Sequence, residues 1–369
     1  MLLISGTKLL AVLASLSGIS WATSSGTARR SFQPALHPPG SFSRSLRSDA
    51  SNNHIDKRWL AVETSTDANA DHHLWPDKTV TYAFNSVADM KAIFKNLIKA
   101  IELWNAAGLS REEYKWKAIL KPACLADRTN CLLITRQDGV LKSTIAKAAA
   151  QPKHDLDGPE MFLDAGENPP TALSFELSYA HEIGHAWGLG HEHQNPAFWS
   201  REFDPNQKRK GTVFTPNNFK CEQHWGFNRA LRLANDKSRA DYAETDRLLL
   251  CRVAGVASKL KFGVFEYLPT TSGYYSESSA LSQGPKDVDW DSIMIYPTRM
   301  KPGSPTFFFK PDGSDIPISS GPTLQDVKGI QRMYNAKPKK ANFGALLNSG
   351  ANKAQAQFKK MFCGCCSSE

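Results

Sequence analysis

The sequence predicts an α/β (α+β) chain. Three observations predict it. Short strand-like runs alternate with helical patterns through the first half of the chain. One long stretch there repeats its apolar residues every three or four positions. A second helical stretch runs through a histidine-rich segment and stops at a glycine.

The elements follow in order. Lys8 precedes an apolar run from Leu9 to Leu16, and small residues stand at Ser20 and Ala22. This stretch is too short to span a bilayer and reads as a secretory signal peptide, residues 1–22. Residues 23–58 are rich in Ser, Pro, Arg and Asn and poor in aliphatics, so they cannot build a core. They end in Lys57-Arg58, a dibasic pair, which gives an expected propeptide at 23–58 and a mature chain from Trp59. Trp75-Pro76-Asp77 turns into a strand at Thr79–Phe84. Ser86 can cap the next helix, with Asp89 three residues on. Met90, Ile93, Leu97, Ile101 and Trp104 form its apolar stripe, and Gly108 ends it.

Tyr114, Trp116, Ala118 and Leu120 alternate with lysines, as a half-buried strand does. Cys131–Thr135 is another strand, and Asp138-Gly139 marks a tight turn. Glu160–Asp164 is a short strand just before Pro169-Pro170, with Thr171 or Ser174 as caps for the helix that follows. Further on, Asp236–Leu260 has helical composition, Phe307–Phe309 with Asp312-Gly313 reads as strand and turn, and Leu324–Tyr334 is a last amphipathic helix. Residues 336–369 are an expected tail, with Cys363, Cys365 and Cys366 near its end. Those three cysteines can hold a metal, bridge to another chain, or have no specific role.

Charge and cysteines restrict the partners. The net charge is +9, but residues 1–58 hold seven Lys and Arg against two Asp, leaving +4 for the rest. Short basic runs such as Lys208-Arg209-Lys210 have no interleaved aromatics, so a nucleic-acid partner is not expected. No stretch outside the leader approaches the length of a membrane helix, so no membrane partner is expected either. Cys124 and Cys131 are close enough in sequence to close a small loop, and Cys221 and Cys251 could form a second bridge. Sequence alone does not fix the pairing, but an oxidising compartment suits it. The expectation is a secreted, extracellular monomer.

The chemistry lies in His181-Glu182-Ile183-Gly184-His185-Ala186-Trp187-Gly188-Leu189-Gly190-His191-Glu192-His193. Residues four apart share a helix face, so His181 and His185 can meet at one point. Glu182 stands about 100° round the helix, beside that point. Gly188 lets the chain leave the helix in the left-handed conformation, and His191 returns three residues later. Three imidazoles with an open position suit one catalytic Zn2+ ion per chain. Glu182 is then placed to take a proton from water and hand it on. A helix with solvated or core histidines is the plain alternative. The extended spacing is far more specific than the five-residue motif alone.

This motif resembles that of the metzincin metalloendopeptidases, and Glu192 directly after the third histidine resembles the astacin family, in a fungal-type secreted branch. Asp289–Tyr296 also resembles the astacin Met-turn, a Ser-x-Met-x-Tyr pattern. The resemblance spans roughly 72–335 and implies a zincin fold, with a twisted mixed five-stranded sheet, two long helices above the cleft and a less regular lower subdomain, in a catalytic domain at 59–335. It implies that Met294 lies beneath the histidines as an apolar floor. It implies that Tyr296 reaches the zinc as a movable ligand and stabilises the oxyanion. It implies an antiparallel strand at 160–164 bordering the cleft, where protein or peptide substrates add as a strand. For Glu192 it leaves two readings: a partner of the new amino terminus, or a brace for the third-histidine loop. Gln194-Asn195-Pro196 departs from the family's arginine-containing continuation. The family's Phe-x-Gly-Asp propeptide element is missing, and without a cysteine in 23–58 a thiol switch is excluded. The segment from His193 to Met294 reads as an insertion, in which Tyr274 and Tyr275 could line the pocket.

The expected function is therefore a secreted zinc endopeptidase. A secreted effector that keeps the fold and zinc but is catalytically silent is the alternative from another class. A serralysin-like metzincin is the alternative within the same class. Glu192 and the lack of glycine-rich calcium repeats speak against the latter.

Overall fold

Strand and helix patterns between residues 72 and 188 assemble into one layered unit. The computed structural model describes residues 60–62, 72–151, 156–203, 212–269, 274–276, 285–300 and 303–335. The expected leader and propeptide, Trp59, the Lys208-Arg209-Lys210 run and the cysteine-bearing tail lie outside them.

The strands are β1 Leu60–Val62, β2 His72–His73, β3 Thr79–Phe84, β4 Lys115–Ala118, β5 Leu132–Arg136, β6 Lys142–Ser143, β7 Lys147–Ala148, β8 Glu160–Leu163 and β9 Tyr274–Ser276. Five of them form the main sheet, in the order β4-β3-β5-β8-β6. β4, β3, β5 and β8 run parallel, and β6 pairs antiparallel with β8. The mixed five-stranded sheet expected from the sequence is present.

One expectation is corrected. Glu160–Leu163 is neither antiparallel to its neighbour β5 nor at the edge. The antiparallel edge strand is Lys142–Ser143, which covers it. β8 pairs with β5 on one edge and with β6 on the other, so its backbone is used on both sides, while Met161 and Leu163 bury one face. A two-residue strand leaves too little pattern to read in advance.

Helix α1, Val87–Ala106, is capped by Ser86, whose Oγ accepts the Asp89 N–H at 3.0 Å. It buries Ile93, Leu97, Ala100 and Trp104. Short helix α2 is Lys121–Ala126, and α3 is Phe175–Trp187. α1 packs beside α3 over the sheet, and the Trp104 indole donates to the Ala180 carbonyl at 2.9 Å. Val80, Tyr82, Leu132, Ile134, Met161 and Leu163 face these helices in one core. Alternation sends Ala83 to the opposite face, against the Cys124–Cys131 disulfide.

Past residue 195 the chain is less regular. α4 is Phe227–Ala234, α5 Asp246–Leu249 and α6 Ala254–Lys259. The helical composition over 236–260 yields only two short helices, because Leu250–Arg252 turn and Val253 is extended between them. Phe307–Phe309 is no strand; Phe308 makes only an isolated bridge to Phe219. A second, aromatic-rich core gathers Phe198, Trp199, Phe214, Phe219, Phe262 and Phe308, with the Cys221–Cys251 disulfide across it. β9 pairs antiparallel with β1, so the backbone of Tyr274 and Tyr275 is used in that ribbon. The final helix α7, Leu324–Asn335, buries Val327, Ile330 and Met333 in the first core, whereas Leu324 stays exposed. No helix among the described residues is long and apolar enough to cross a membrane.

Candidate active site

The site is built on α3. Ser174 caps it by accepting the Leu177 N–H at 3.3 Å, so of the two expected caps it is Ser174 that serves. Residues 178–187 are all buried. Trp75 holds the far end, its indole donating to the Ala186 carbonyl at 2.7 Å. Gly188 ends the helix at φ 111°, a conformation that disfavours any side chain. The chain then turns so that His191 faces His181 and His185.

Each of the three rings is fixed by its Nδ1. His181 donates to the Ile293 carbonyl at 2.7 Å and His185 to the Leu189 carbonyl at 2.8 Å. His191 donates to Gln194 Oε1 at 2.9 Å. A neutral imidazole carries one N–H, so all three Nε2 atoms are left with bare lone pairs. They lie 3.1, 3.1 and 3.2 Å apart. No proton is available to join them, so such an approach is repulsive unless a cation lies among them. Burial keeps the rings neutral, pushing His181 down to about 4, and burial followed by the neighbouring His181 takes His185 to about 3. His191 is held well below its ordinary value by burial, then by the His185 and His193 imidazoles.

Tetrahedral zinc with bonds of about 2.0–2.1 Å sets its ligands about 3.3 Å apart. The observed triangle is slightly tighter and fits. His181, His185 and His191 thus form a buried triad that could hold a metal ion.

Glu182 is 5% exposed, and its Oε2 has no hydrogen-bond partner among the described residues. Burial, then the Glu266 carboxylate, raise it to about 8. A dication beside it opposes both effects.

The residues expected beneath and beside the triad are there. A Cβ on Gly184 would run into Met294 Sδ and come within 3.1 Å of the Trp104 ring, so Met294 packs against the helix between the two histidines. The Tyr296 ring centroid lies 4.4 Å from that of His191 and 5.8 Å from that of His181. Burial, then Glu266, hold its hydroxyl far above its ordinary value, so it keeps its proton. Glu192 is buried, and its N–H donates to the Met294 carbonyl at 2.9 Å, which ties the third-histidine loop to the Met294 turn. Ala61 bridges to Leu189, bringing the region just after Lys57-Arg58 to the same loop.

Three supporting residues were missed in the sequence. Gln194 holds His191 and also donates to the carbonyls of Phe265 and Leu268, at 3.3 and 3.2 Å. Its only signal was the departure from arginine in that stretch. His193 donates to the Glu266 carbonyl at 2.9 Å and accepts the Tyr296 N–H at 3.3 Å, which sets the tyrosine's backbone. Asp326 of α7 accepts from Ser292 Oγ at 2.6 Å and Ile293 N–H at 3.1 Å, anchoring the turn that in turn holds His181. Its signal was legible: Thr323 and Asp326 satisfy each other's backbone N–H groups, a capping box ahead of an apolar run.

No protein-family model matches the chain, and none of the curated proteins matches it. Among solved structures the chain is similar to the crystal structure of myroilysin, with 16% identity and a TM-score of 0.34, over 78% of this chain and 94% of that one.

Proposed function

We propose that this chain is a secreted zinc endopeptidase of the metzincin type, resembling the astacins. One observation carries the reading: three Nδ1-anchored imidazoles present bare Nε2 lone pairs to one point, with a buried Glu182 oxygen in the same site that has no hydrogen-bond partner among the described residues.

His181, His185 and His191 would hold the ion. Zinc there would supply Lewis acidity toward a peptide carbonyl and lower the pKa of water to about 7. Glu182 takes the proton of the attacking water and passes it to the leaving amine. The protonated Tyr296 hydroxyl donates to the oxygen that gains negative charge. Met294 keeps the underside of the site dry, and the outer edge of β6 offers backbone groups for an extended substrate. The signal peptide, removal of a propeptide after Arg58, and a monomeric extracellular product complete the proposal; the two disulfides fit an oxidising compartment.

The test is metal analysis of the secreted protein beside a protease assay with and without chelator. About one zinc per chain and chelator-sensitive peptide hydrolysis are expected. Glu182→Gln should keep the metal and lose at least about two orders of magnitude in rate. Metal without hydrolysis would turn the assignment toward a silent effector of this fold.

A further inference from the structure

α1 and α3 cover one face of the main sheet, and the other face carries a groove. Along β3, alternation sends Val80 and Tyr82 into the helix-covered core and Thr79 and Thr81 to the opposite face. β4 is the last strand on its side of the sheet and runs parallel to β3, with Lys115 in register with Thr79 and Lys117 with Thr81. These four residues line a groove of about 550 Å³, and both lysines are exposed. Asn130 lines it too, and its Oδ1 accepts from Lys147 Nζ of β7 at 2.8 Å, which brings a third ammonium to the rim. Thr79 Oγ1 donates to the Asp77 carbonyl at 3.0 Å and keeps lone pairs with which to accept. Among the described residues lining the groove, Asp77 holds the one carboxylate. Two tryptophans also border it, but their rings turn inward: the Trp75 indole bonds to Ala186, and Trp116 meets Trp187 edge-on at 6.0 Å.

We propose that this groove docks an extended acidic segment of another protein, one with carboxylates at alternate positions. Charge and spacing select that partner. Lys115 and Lys117 stand two residues apart on one strand, so their side chains repeat at about 6.6 Å along the groove. An extended peptide presents every second side chain on one face at nearly the same repeat, so its carboxylates meet both lysines in step. Lys147 gives one of its three donors to Asn130 and has two for the ligand. A single-stranded nucleic acid needs ring faces to stack on, and the inward-turned Trp75 and Trp116 offer none. The two ends of this chain are unsuited as occupants, because 23–58 hold six Lys and Arg against two Asp, and 336–369 six Lys against one Glu. Lysines on a border strand also keep sheets from pairing edge to edge. That role calls for neither the threonines nor Lys147 of a separate element around one groove. The groove lies on the face of the sheet away from α3, so the proposal stands whether or not the chain is a peptidase.

Fluorescence anisotropy of a labelled peptide of alternating glutamate and serine tests this, using the full chain with Glu182→Gln so that no peptide is cut. Saturable binding is expected, weakening as salt rises from about 0.05 to 0.5 M because the lysines are exposed. A peptide of the same composition with its glutamates in adjacent pairs splits them between two faces and should bind at least about threefold more weakly. Lys115→Glu with Lys117→Glu, checked for folding by its melting curve, should lose about tenfold or more in affinity. Lys91→Glu with Lys95→Glu makes the same change of net charge on the exposed side of α1 and should leave binding unchanged. No saturable binding, equal loss in the two double variants, or no preference for the alternating peptide would each overturn the proposal. The peptide comparison decides it even where the groove variant does not fold. Binding of a sulfated polysaccharide or single-stranded DNA at the groove without binding of the peptide would also overturn it. So would peptide binding that appears only after Glu63→Gln, Asp67→Asn and Asp71→Asn, which would assign the groove to the chain's own acidic stretch at 63–71.

Discussion

At the scale of single residues, the site depends on where three protons are held. Each Nδ1–H is engaged by an oxygen, so each Nε2 is a ligand before any metal arrives. Two of those oxygens are backbone carbonyls and cannot be removed by substitution. The third belongs to Gln194. Gln194→Ala should therefore weaken zinc binding by about 10–100-fold, the usual effect of losing such an outer partner. Competition with a chromophoric chelator measures it, and unchanged affinity would dismiss the role. Tyr296→Phe leaves the ring against His191 and removes only the hydroxyl. Metal content should hold while kcat falls on the order of 10²-fold, as for loss of one oxyanion donor. A kcat equal to wild type would exclude Tyr296 from the chemistry.

At the scale of elements, α3 is held by neighbours more than by its own propensity. Gly184 is where it meets Met294 and the Trp104 ring without space for a methyl. Gly184→Ala should cost about 1–3 kcal/mol by overpacking and lower the melting temperature. The start of α3 is tied to α1 by Lys99 and Glu176, 2.7 Å apart. The Lys99 hydrogen bond first, then a backbone N–H, hold Glu176 at about 2 against an ordinary 4.5. A carboxylate depressed in the folded state stabilises above its unfolded pKa and loses that contribution as pH falls through the folded one. Lys99 is 48% exposed, so solvent screening limits the pair to under about 1 kcal/mol. Lys99→Met should melt slightly below wild type at pH 7, and the gap should close between pH 4.5 and 2. A gap that persists at pH 2 would mean the lysine acts through packing instead.

At the scale of the whole molecule, two cores share the work. The sheet core holds His181 and His185 through α3, and the aromatic core reaches His191 through the Gln194 bonds to Phe265 and Leu268. The Cys221–Cys251 bridge spans 30 residues of the second core and Cys124–Cys131 only 7 on the sheet's far face. By chain entropy the longer loop is worth about 3–4 kcal/mol and the shorter about 2. Replacing Cys221 and Cys251 with serine should therefore lower the melting temperature more than replacing Cys124 and Cys131. It should also loosen zinc, whereas the second pair should leave zinc binding unchanged. Equal metal affinity in both variants would sever the proposed link between the aromatic core and the third ligand.

How much of this was readable in advance differs by region. The capped helix α1, the run into α3, its glycine stop and the three converging imidazoles were legible, because each rests on contacts within a few residues. Periodicity, a Ser174 or Ser86 cap and a left-handed Gly188 are local facts. The 227–268 segment was not, because its short helices have little pattern of their own and are set by packing around Trp199, Phe219 and Phe262. The edge strand at Lys142–Ser143 was missed for the same reason: two residues cannot display an alternation.

The sequence by itself determined the type of chemistry on offer, since spacing on one helix turn and a glycine exit leave three imidazoles little choice but to converge. Only the tertiary structure decided which way their protons point and which neighbours from residues 265, 268, 293 and 326 hold them. Those depend on groups tens to over a hundred residues apart, which only the packing of the two cores brings within hydrogen-bond reach.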